Sequence, residues 1–287
     1  QRKTVLMLDA LDDIYGLPLF TDGDRALIQH SRAVGASLEL PPVSGNGESA
    51  LVEATQQLGD AGLLSLTVGE KTESAMLTPL AICREALAYY SPMADLAFVM
   101  QALGSIPVQL AANQALRQSV LAGVVAGTSI AAFALTEPEA GSDVAALTTS
   151  ARRDGAGYVI NGRKHLISNA GVASFYTLFA RTGTGPKNIS AFHVPSSARG
   201  ISVRQTPPMS PHPLGVVEFK DVRVPLEFRL GEEGGGLKLA LMTLARCRPS
   251  VGAAACGFAR RALEEALTHA NKRKAFGGVL ADQQLVQ

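Results

Sequence analysis

Residues able to do chemistry concentrate in FALTEPEAGSDVAALTTS, positions 133–150, where an almost purely apolar run turns abruptly acidic. Pro138, Gly141 and Ser142 stand there among Glu137, Glu139 and Asp143. Thr136 offers a hydroxyl and a backbone N–H at the end of a buried strand. Gly141 and Ser142 form a turn at which backbone can approach a ligand closely. By residue type alone, Thr136 also suits a plain strand end, and Ser142 an ordinary turn held by a local side-chain bond. Glu137 and Asp143 read better as braces of the loop than as catalytic acids.

Other reactive groups are scattered. Cys83, Cys247 and Cys256 have no CxxC spacing, and nine helical steps put the last two on opposite faces. Neither a disulfide nor a metal centre is indicated, and a reducing, cytoplasmic setting is expected. The five histidines, the serines and the remaining acids show no triad or metal-ligand spacing. A net charge of +1 argues against a nucleic-acid partner. The first residues carry no charged-then-apolar signal pattern. The apolar run at 120–135 is short for a membrane span and is interrupted by two glycines and Thr128-Ser129. It reads as a buried helix end running into a buried strand, and no membrane insertion is expected.

The elements that must position these groups follow from hydrophobic period. From 24 to about 125 apolar residues recur at three- and four-residue steps, predicting helices, with Ser49 and Ser74 as caps and Pro79 in a first turn. From GYVINGRKHLISNA through SFYTLFART, NISAFHV and GISVRQT to GVVEFKDVRVP the segments are short and β-branched. They predict a modest β-sandwich or barrel, with a hairpin at Asn161-Gly162. Helical period returns at GGGLKLALMTLARCRP and ARRALEEALTHANKRKAFG, and LADQQLVQ resumes it after a Gly-Gly break. The fold class is therefore α+β and multidomain. An all-helical domain is expected over 1–128, a β domain over 129–236, and the start of a C-terminal helical domain over 237–287.

LTEPEAGSD, followed in order by GYVINGRKHLISNAG, FKDVRVP, GEEGGGLKLAL and NKRKAFG, resembles the acyl-CoA dehydrogenase family across essentially the whole chain. The resemblance implies FAD as cofactor, an acyl-CoA as substrate, and electron-transfer flavoprotein as acceptor. It implies that Phe133, Leu135 and Thr136 line the pyrimidine side of the flavin. Ser142, beside Gly141, would lie near the pyrophosphate and the pantetheine arm of CoA. An isoalloxazine ring needs donors at one edge, a group aimed at N5 and an apolar wall. In HLISN the family commonly has Trp and then Thr or Ser; this chain has Leu166 and Ser168, and no Trp at all. Strand alternation puts Leu166 and Ser168 on one side and Ile167 on the other. Arg273 and Phe276 resemble the RxxFG element that reaches the FAD of a neighbouring subunit, which implies a homodimer or homotetramer. A guanidinium suits a pyrophosphate.

Leu96, Val99 and Leu103 share one helical face without charge and would line the acyl pocket, a stripe that core packing explains equally well. Met209 is a further candidate for the flavin or thioester region. The resemblance implies α,β-dehydrogenation to the 2,3-enoyl-CoA, which needs a carboxylate base. One family position for it, before the Arg that here is Arg248, holds Cys247, the wrong group; the other is expected beyond Gln287. Two further readings stand beside the dehydrogenase: a flavin oxidase or monooxygenase on the same scaffold, and a catalytically silent acyl-CoA- and flavin-binding assembly module.

Overall fold

A computed structural model of the chain describes residues 13–40, 45, 47–68, 73–185, 188–206, 209 and 212–286. Five helices come first: α1 (Asp22–Ser37), α2 (Glu48–Asp60), α3 (Glu73–Tyr90), α4 (Pro92–Ala111) and α5 (Gln114–Val125). α1 opens on a capping box in which Thr21 Oγ1 accepts from Asp24 N–H at 3.2 Å while Asp24 accepts from Thr21 N–H at 2.9 Å. α2 instead begins after Gly47, in the left-handed region, so the expected Ser49 cap is not made and Ser49 lies within the first turn. The Ser74 side chain falls outside the described residues. Pro79 sits beyond the first turn of α3, because that helix starts already at Glu73.

α4 is the central helix. Its length and composition would allow it to cross a membrane, yet 78% of its most apolar window is buried inside the protein. At Gly104 an added Cβ would stand 2.5 Å from Ala131 Cβ, so only glycine lets this helix lie directly on the first strand. Gln101 ties the two together: its Oε1 accepts from Ala131 N–H at 2.7 Å and its Nε2 donates to Ser129 O at 2.8 Å. Residues 120–135 divide as the sequence predicts, into the end of α5 and strand β1 (Ala131–Ala134).

The sheet continues with β2 (Ser150–Asp154), β3 (Gly157–Ser168), β4 (Phe175–Arg181), β5 (Ile189–Pro195), β6 (Ile201–Gln205), β7 (Leu214–Pro225) and β8 (Arg229–Leu230). Its order is β6-β7-β3-β2-β4-β5-β8, with β1 added parallel to β4. β4 and β5 are buried on both faces, which is why they read as near-continuous apolar runs. One apolar cluster, with Tyr158, Tyr176, Phe192 and Phe219, lies within the sheet domain. Another joins Phe175, Phe179 and Ile189 to α4, α5 and the last helix.

The hairpin is not at Asn161-Gly162. It turns at Gly155 (φ 58°), and the Asn161-Gly162 pair lies within β3 at a shift of register against β7. Asn161 is committed sideways: its Nδ2 donates to Asp221 Oδ1 at 3.1 Å and its Oδ1 accepts from Asp221 N–H at 2.9 Å. Asp154-Gly155 carries an equal turn signal and has pairing strands on both sides.

α6 (Gly236–Lys272) is one continuous helix of 37 residues running through Pro249. A buried cluster fastens it to α3 and α4. Arg84 is bidentate on Asp95 at 2.7 and 2.8 Å and reaches Ser250 Oγ at 3.2 Å, which in turn donates to Cys247 O. Beyond α6, β9 (Lys274–Ala275) and β10 (Gly278–Val279) form a small hairpin. Where LADQQLVQ is expected to resume helical period, the described residues carry a 3-10 turn at Leu280–Asp282.

Candidate functional site

The site grows from the end of β1. Leu135 is buried and Thr136 half-buried, and Thr136 O accepts from His165 N–H at 2.8 Å, tying the strand end to β3. The Thr136 amide N–H and hydroxyl have no hydrogen-bond partner among the described residues. Two donors are therefore left side by side at the mouth of an apolar strand. Phe133 is half-buried, with its ring packed against Phe179 at 5.0 Å between centroids.

Glu137 then turns the chain. Its N–H donates to Ala140 O at 3.1 Å and its O accepts from Ala140 N–H at 3.2 Å, which lifts Pro138 and Glu139 to the surface. The Glu137 carboxylate accepts from Thr148 N–H at 2.6 Å, Thr148 Oγ1 at 2.8 Å, Thr149 N–H at 2.9 Å and Lys164 Nζ at 2.8 Å. Burial alone would push its pKa up. The Lys164 charge and these hydrogen bonds prevail and hold it at about 2. Lys164 is fully buried and also donates to Leu135 O at 3.0 Å; burial pulls its pKa down to about 8 against the pull of Glu137. Glu137 is thus the brace that the sequence suggests. Asp143 is not: its side chain is exposed and makes no capping bond, and only its carbonyl serves, accepting from Ala146 N–H.

The second wall comes from a bulge in β3. Lys164 faces Val217 and Ile167 faces Gly215, so three steps on β3 span two on β7. Leu166 takes up the excess in the left-handed region, φ 54°, and stands 51% exposed. Ile167 is buried and Ser168 half-buried. Leu166 and Ser168 do turn away from the core as Ile167 turns in, but the bulge and not simple alternation achieves it. Gly141, Ser142 and Asp143 are all exposed. Gly141 has an ordinary φ, and a Cβ added there would meet nothing within 4 Å. Neither backbone nor packing within the chain asks for glycine at that position. Two free donors, an apolar surround and an open glycine turn suit a flat heteroaromatic ring with one polar edge and a phosphate-bearing tail.

Comparison with known proteins agrees. The family model "Acyl-CoA dehydrogenase, middle domain" matches residues 132–222, and "Acyl-CoA dehydrogenase, C-terminal domain" matches residues 234–287. A probable acyl-CoA dehydrogenase, FadE25, of Mycobacterium tuberculosis is 32% identical over 284 residues, 96% of this chain and 72% of its own length. The chain belongs to the acyl-CoA dehydrogenase family. Cyclohexane-1-carbonyl-CoA dehydrogenase of Geobacter metallireducens is 35% identical over 242 residues, 82% of this chain. This chain spans 64% of that relative's length. Among solved structures, an acyl-CoA dehydrogenase from Bacillus anthracis complexed with FAD superposes with a TM-score of 0.83 at 25% identity. The match covers 93% of this chain and 48% of the other.

The remaining expected site residues of this family member divide into two groups. Leu135, Thr136, Leu166 and Ser168 converge through the Thr136–His165 bond, with Phe133, Gly141 and Ser142 on the same continuous segment. Arg273 and Phe276 do not join them. They follow a helix about 55 Å long, whose start packs on Ser190 of β5. Phe276 is 93% exposed, at φ 51°. Arg248 is exposed on α6, while Cys247 beside it is buried, with its thiol pushed up to about 11 by burial despite Arg84 and Arg246 nearby. Met209 is fully exposed, and positions 207, 208, 210 and 211 around it lie outside the described residues. Between Met93 and Val108 every residue of α4 is buried except Leu96 and Leu103, two turns apart on one face, with Val99 between them.

Sequence reasoning missed Lys164, the residue that holds the loop and the bulge together. Lys164 takes a buried position on β3, whose other buried residues are Tyr158, Val159, Ile160 and Ile167, and a lysine there demands a buried acid, which is Glu137. Asn169, whose Nδ2 donates to Ala131 O at 2.8 Å, was also missed.

Proposed function

We propose that this chain is the flavin-binding part of an FAD-dependent acyl-CoA dehydrogenase that converts an acyl-CoA thioester to its 2,3-enoyl-CoA. The observation that carries the reading is Thr136, whose amide and hydroxyl stand without partners among the described residues, beside an apolar wall. FAD, when bound, supplies the acceptor for the hydride leaving the β-carbon. Thr136 would hold its polar edge, Phe133, Leu135 and Leu166 its faces, and Ser168 would offer a hydroxyl. Gly141 and Ser142 would leave room for the phosphate-bearing arms of FAD and CoA.

The partly exposed Leu96 and Leu103, with buried Val99 between them on the same face of α4, support an apolar acyl group there. The α-proton must pass to a base. Cys247 does not fit that role, because a buried thiol with a pKa near 11 neither ionises nor accepts a proton at neutral pH. Glu137 and Asp95 are committed to Lys164 and Arg84. A carboxylate outside the described residues is proposed instead, with Arg248 at the substrate. Arg273 and Phe276 stand far from the Thr136 loop of their own chain, which supports their meeting the flavin of a second copy in a homodimer or homotetramer. Electron-transfer flavoprotein is the proposed acceptor and the cytoplasm the proposed setting.

The test is the visible spectrum of the full-length protein, followed by anaerobic addition of a panel of acyl-CoA thioesters. Bleaching of bound flavin by one thioester is the expected result and defines the acyl class. Flavin that binds but never bleaches would favour a silent binding module, and rapid reoxidation by air an oxidase. Failure to bind FAD even on reconstitution would overturn the proposal.

A further inference from the structure

We propose that Lys164 is a positioning residue that tunes the flavin through the Leu135–Thr136 peptide: its ammonium grips the carbonyl of the peptide whose N–H faces the cofactor. The inference rests on the functional reading above. Its observations are independent of that reading. Lys164 Nζ lies 3.0 Å from Leu135 O and 2.8 Å from Glu137 Oε1, with no exposure to solvent. The Leu135 carbonyl and the Thr136 N–H belong to one planar amide, so charge drawn to the oxygen leaves the N–H more positive. Bonds in such a chain strengthen one another, and the low dielectric of a buried site amplifies the effect. The Thr136 N–H has no partner among the described residues, so this polarisation is directed outward to whatever binds there.

The pair is arranged with a direction. Glu137 spreads its charge over Thr148, Thr149 and Lys164, away from the Leu135 carbonyl. Of the pair, it is Lys164 that touches that carbonyl. The ion pair adds no net charge to the site, yet it sharpens the donor at the edge where a reduced flavin gathers negative charge. Reduction is favoured by a donor that strengthens as charge develops. A lysine serving only to pair Glu137 would not need to reach Leu135 as well.

The double variant Glu137→Gln/Lys164→Met tests this with net charge conserved, the amide oxygen keeping the two Thr148 bonds made at Oε2 while the Thr149 N–H bond at Oε1 is given up. The readouts on full-length protein are FAD affinity, the visible spectrum and the midpoint potential against a dye of known potential. The expected result is bound FAD that is harder to reduce, its reduced-to-oxidised ratio at fixed poise falling about tenfold. Loss of stability alone does not move a potential in protein that still holds its flavin. An unchanged potential and spectrum in a flavin-loaded variant would overturn the role of Lys164 and leave the functional reading intact. Wild-type protein that takes up no FAD would overturn the reading itself. Should the variant not hold flavin, the wild-type protein decides. With 13C-carbonyl leucine and 15N threonine, the Thr136 amide proton must move downfield on flavin reduction, and a stationary signal refutes the proposal.

Discussion

Replacing Glu137 with Gln removes one charge from a pair whose side chains are 3% and 0% exposed. The Lys164 ammonium then keeps only the Leu135 carbonyl, and a buried charge stripped of its partner costs about 3–5 kcal/mol. Wild-type protein should show the same pair through its acid limb. The Glu137 pKa is depressed in the folded state, so its contribution is present above pH 4.5 and is lost as pH falls toward 2. A fall from 4.5 to about 2 corresponds to about 3 kcal/mol at about 1.4 kcal/mol per pH unit. The variant should lack this limb. It should gain stability more steeply than wild type as pH rises above neutrality, because burial unopposed by Glu137 lowers the Lys164 pKa further and the unfolded chain then binds the extra proton. Urea unfolding followed by far-ultraviolet circular dichroism at pH 7, and again between pH 2 and 5, measures both quantities. A variant within about 1 kcal/mol of wild type at pH 7, with its acid limb intact, would refute the claim that this pair holds the loop.

Three further outcomes are expected. Burial pushes the His193 pKa down to about 4, and among the described residues its Nδ1 has no partner, in a pocket of Phe175 and Phe228 rings. Its contribution is full above pH 6.5 and lost toward pH 4, about 3 kcal/mol in all, so His193→Phe should abolish that limb and spare the one below it. Leu166→Gly should raise stability by about 1 kcal/mol in thermal unfolding by relieving a left-handed residue. The same change should weaken FAD binding, as fluorescence titration would show, because it removes an apolar wall. Gly141→Ala should leave stability unchanged or raise it by about 0.4–1 kcal/mol, since its φ is ordinary and its surroundings open. FAD affinity should nevertheless fall about tenfold, because the new methyl occupies ligand space.

The helix–sheet–helix order is legible because its signals are additive over many residues: period in α1 to α5, β-branching in β3 to β7. β2 escaped because SARRD carries one buried residue, Ala151, among polar and charged side chains that signal nothing inward. Single-residue events escaped as well. A bulge changes register without changing residue types, so Leu166 reads as one more strand leucine although it takes up the shift between Lys164 and Ile167. Asn161-Gly162 and Asp154-Gly155 are equivalent as turn signals, and only the pairing of β2 with β3 chooses between them. The Thr136 site is more legible than its support, since donors and glycines stand in the sequence while the Lys164–Glu137 bond spans 27 residues.

Gly141 and Leu166 share a property that bears on where the function lies. A fold usually explains its own residues. Gly104 is glycine because β1 presses against it, and Lys164 is lysine because Glu137 faces it. Gly141 lies in open space with an ordinary backbone, and Leu166 holds an apolar side chain toward solvent on a conformation that leucine disfavours. The chain gains nothing internally from either. Both flank Thr136, whose two donors also lack partners among the described residues. Three neighbouring positions thus carry residue types whose reasons lie outside the polypeptide. One ligand, apolar on its face and polar at its edge, accounts for all three, and stability measurements on Gly141→Ala and Leu166→Gly separate that account from ordinary loop variation because they predict gain in fold and loss in binding together.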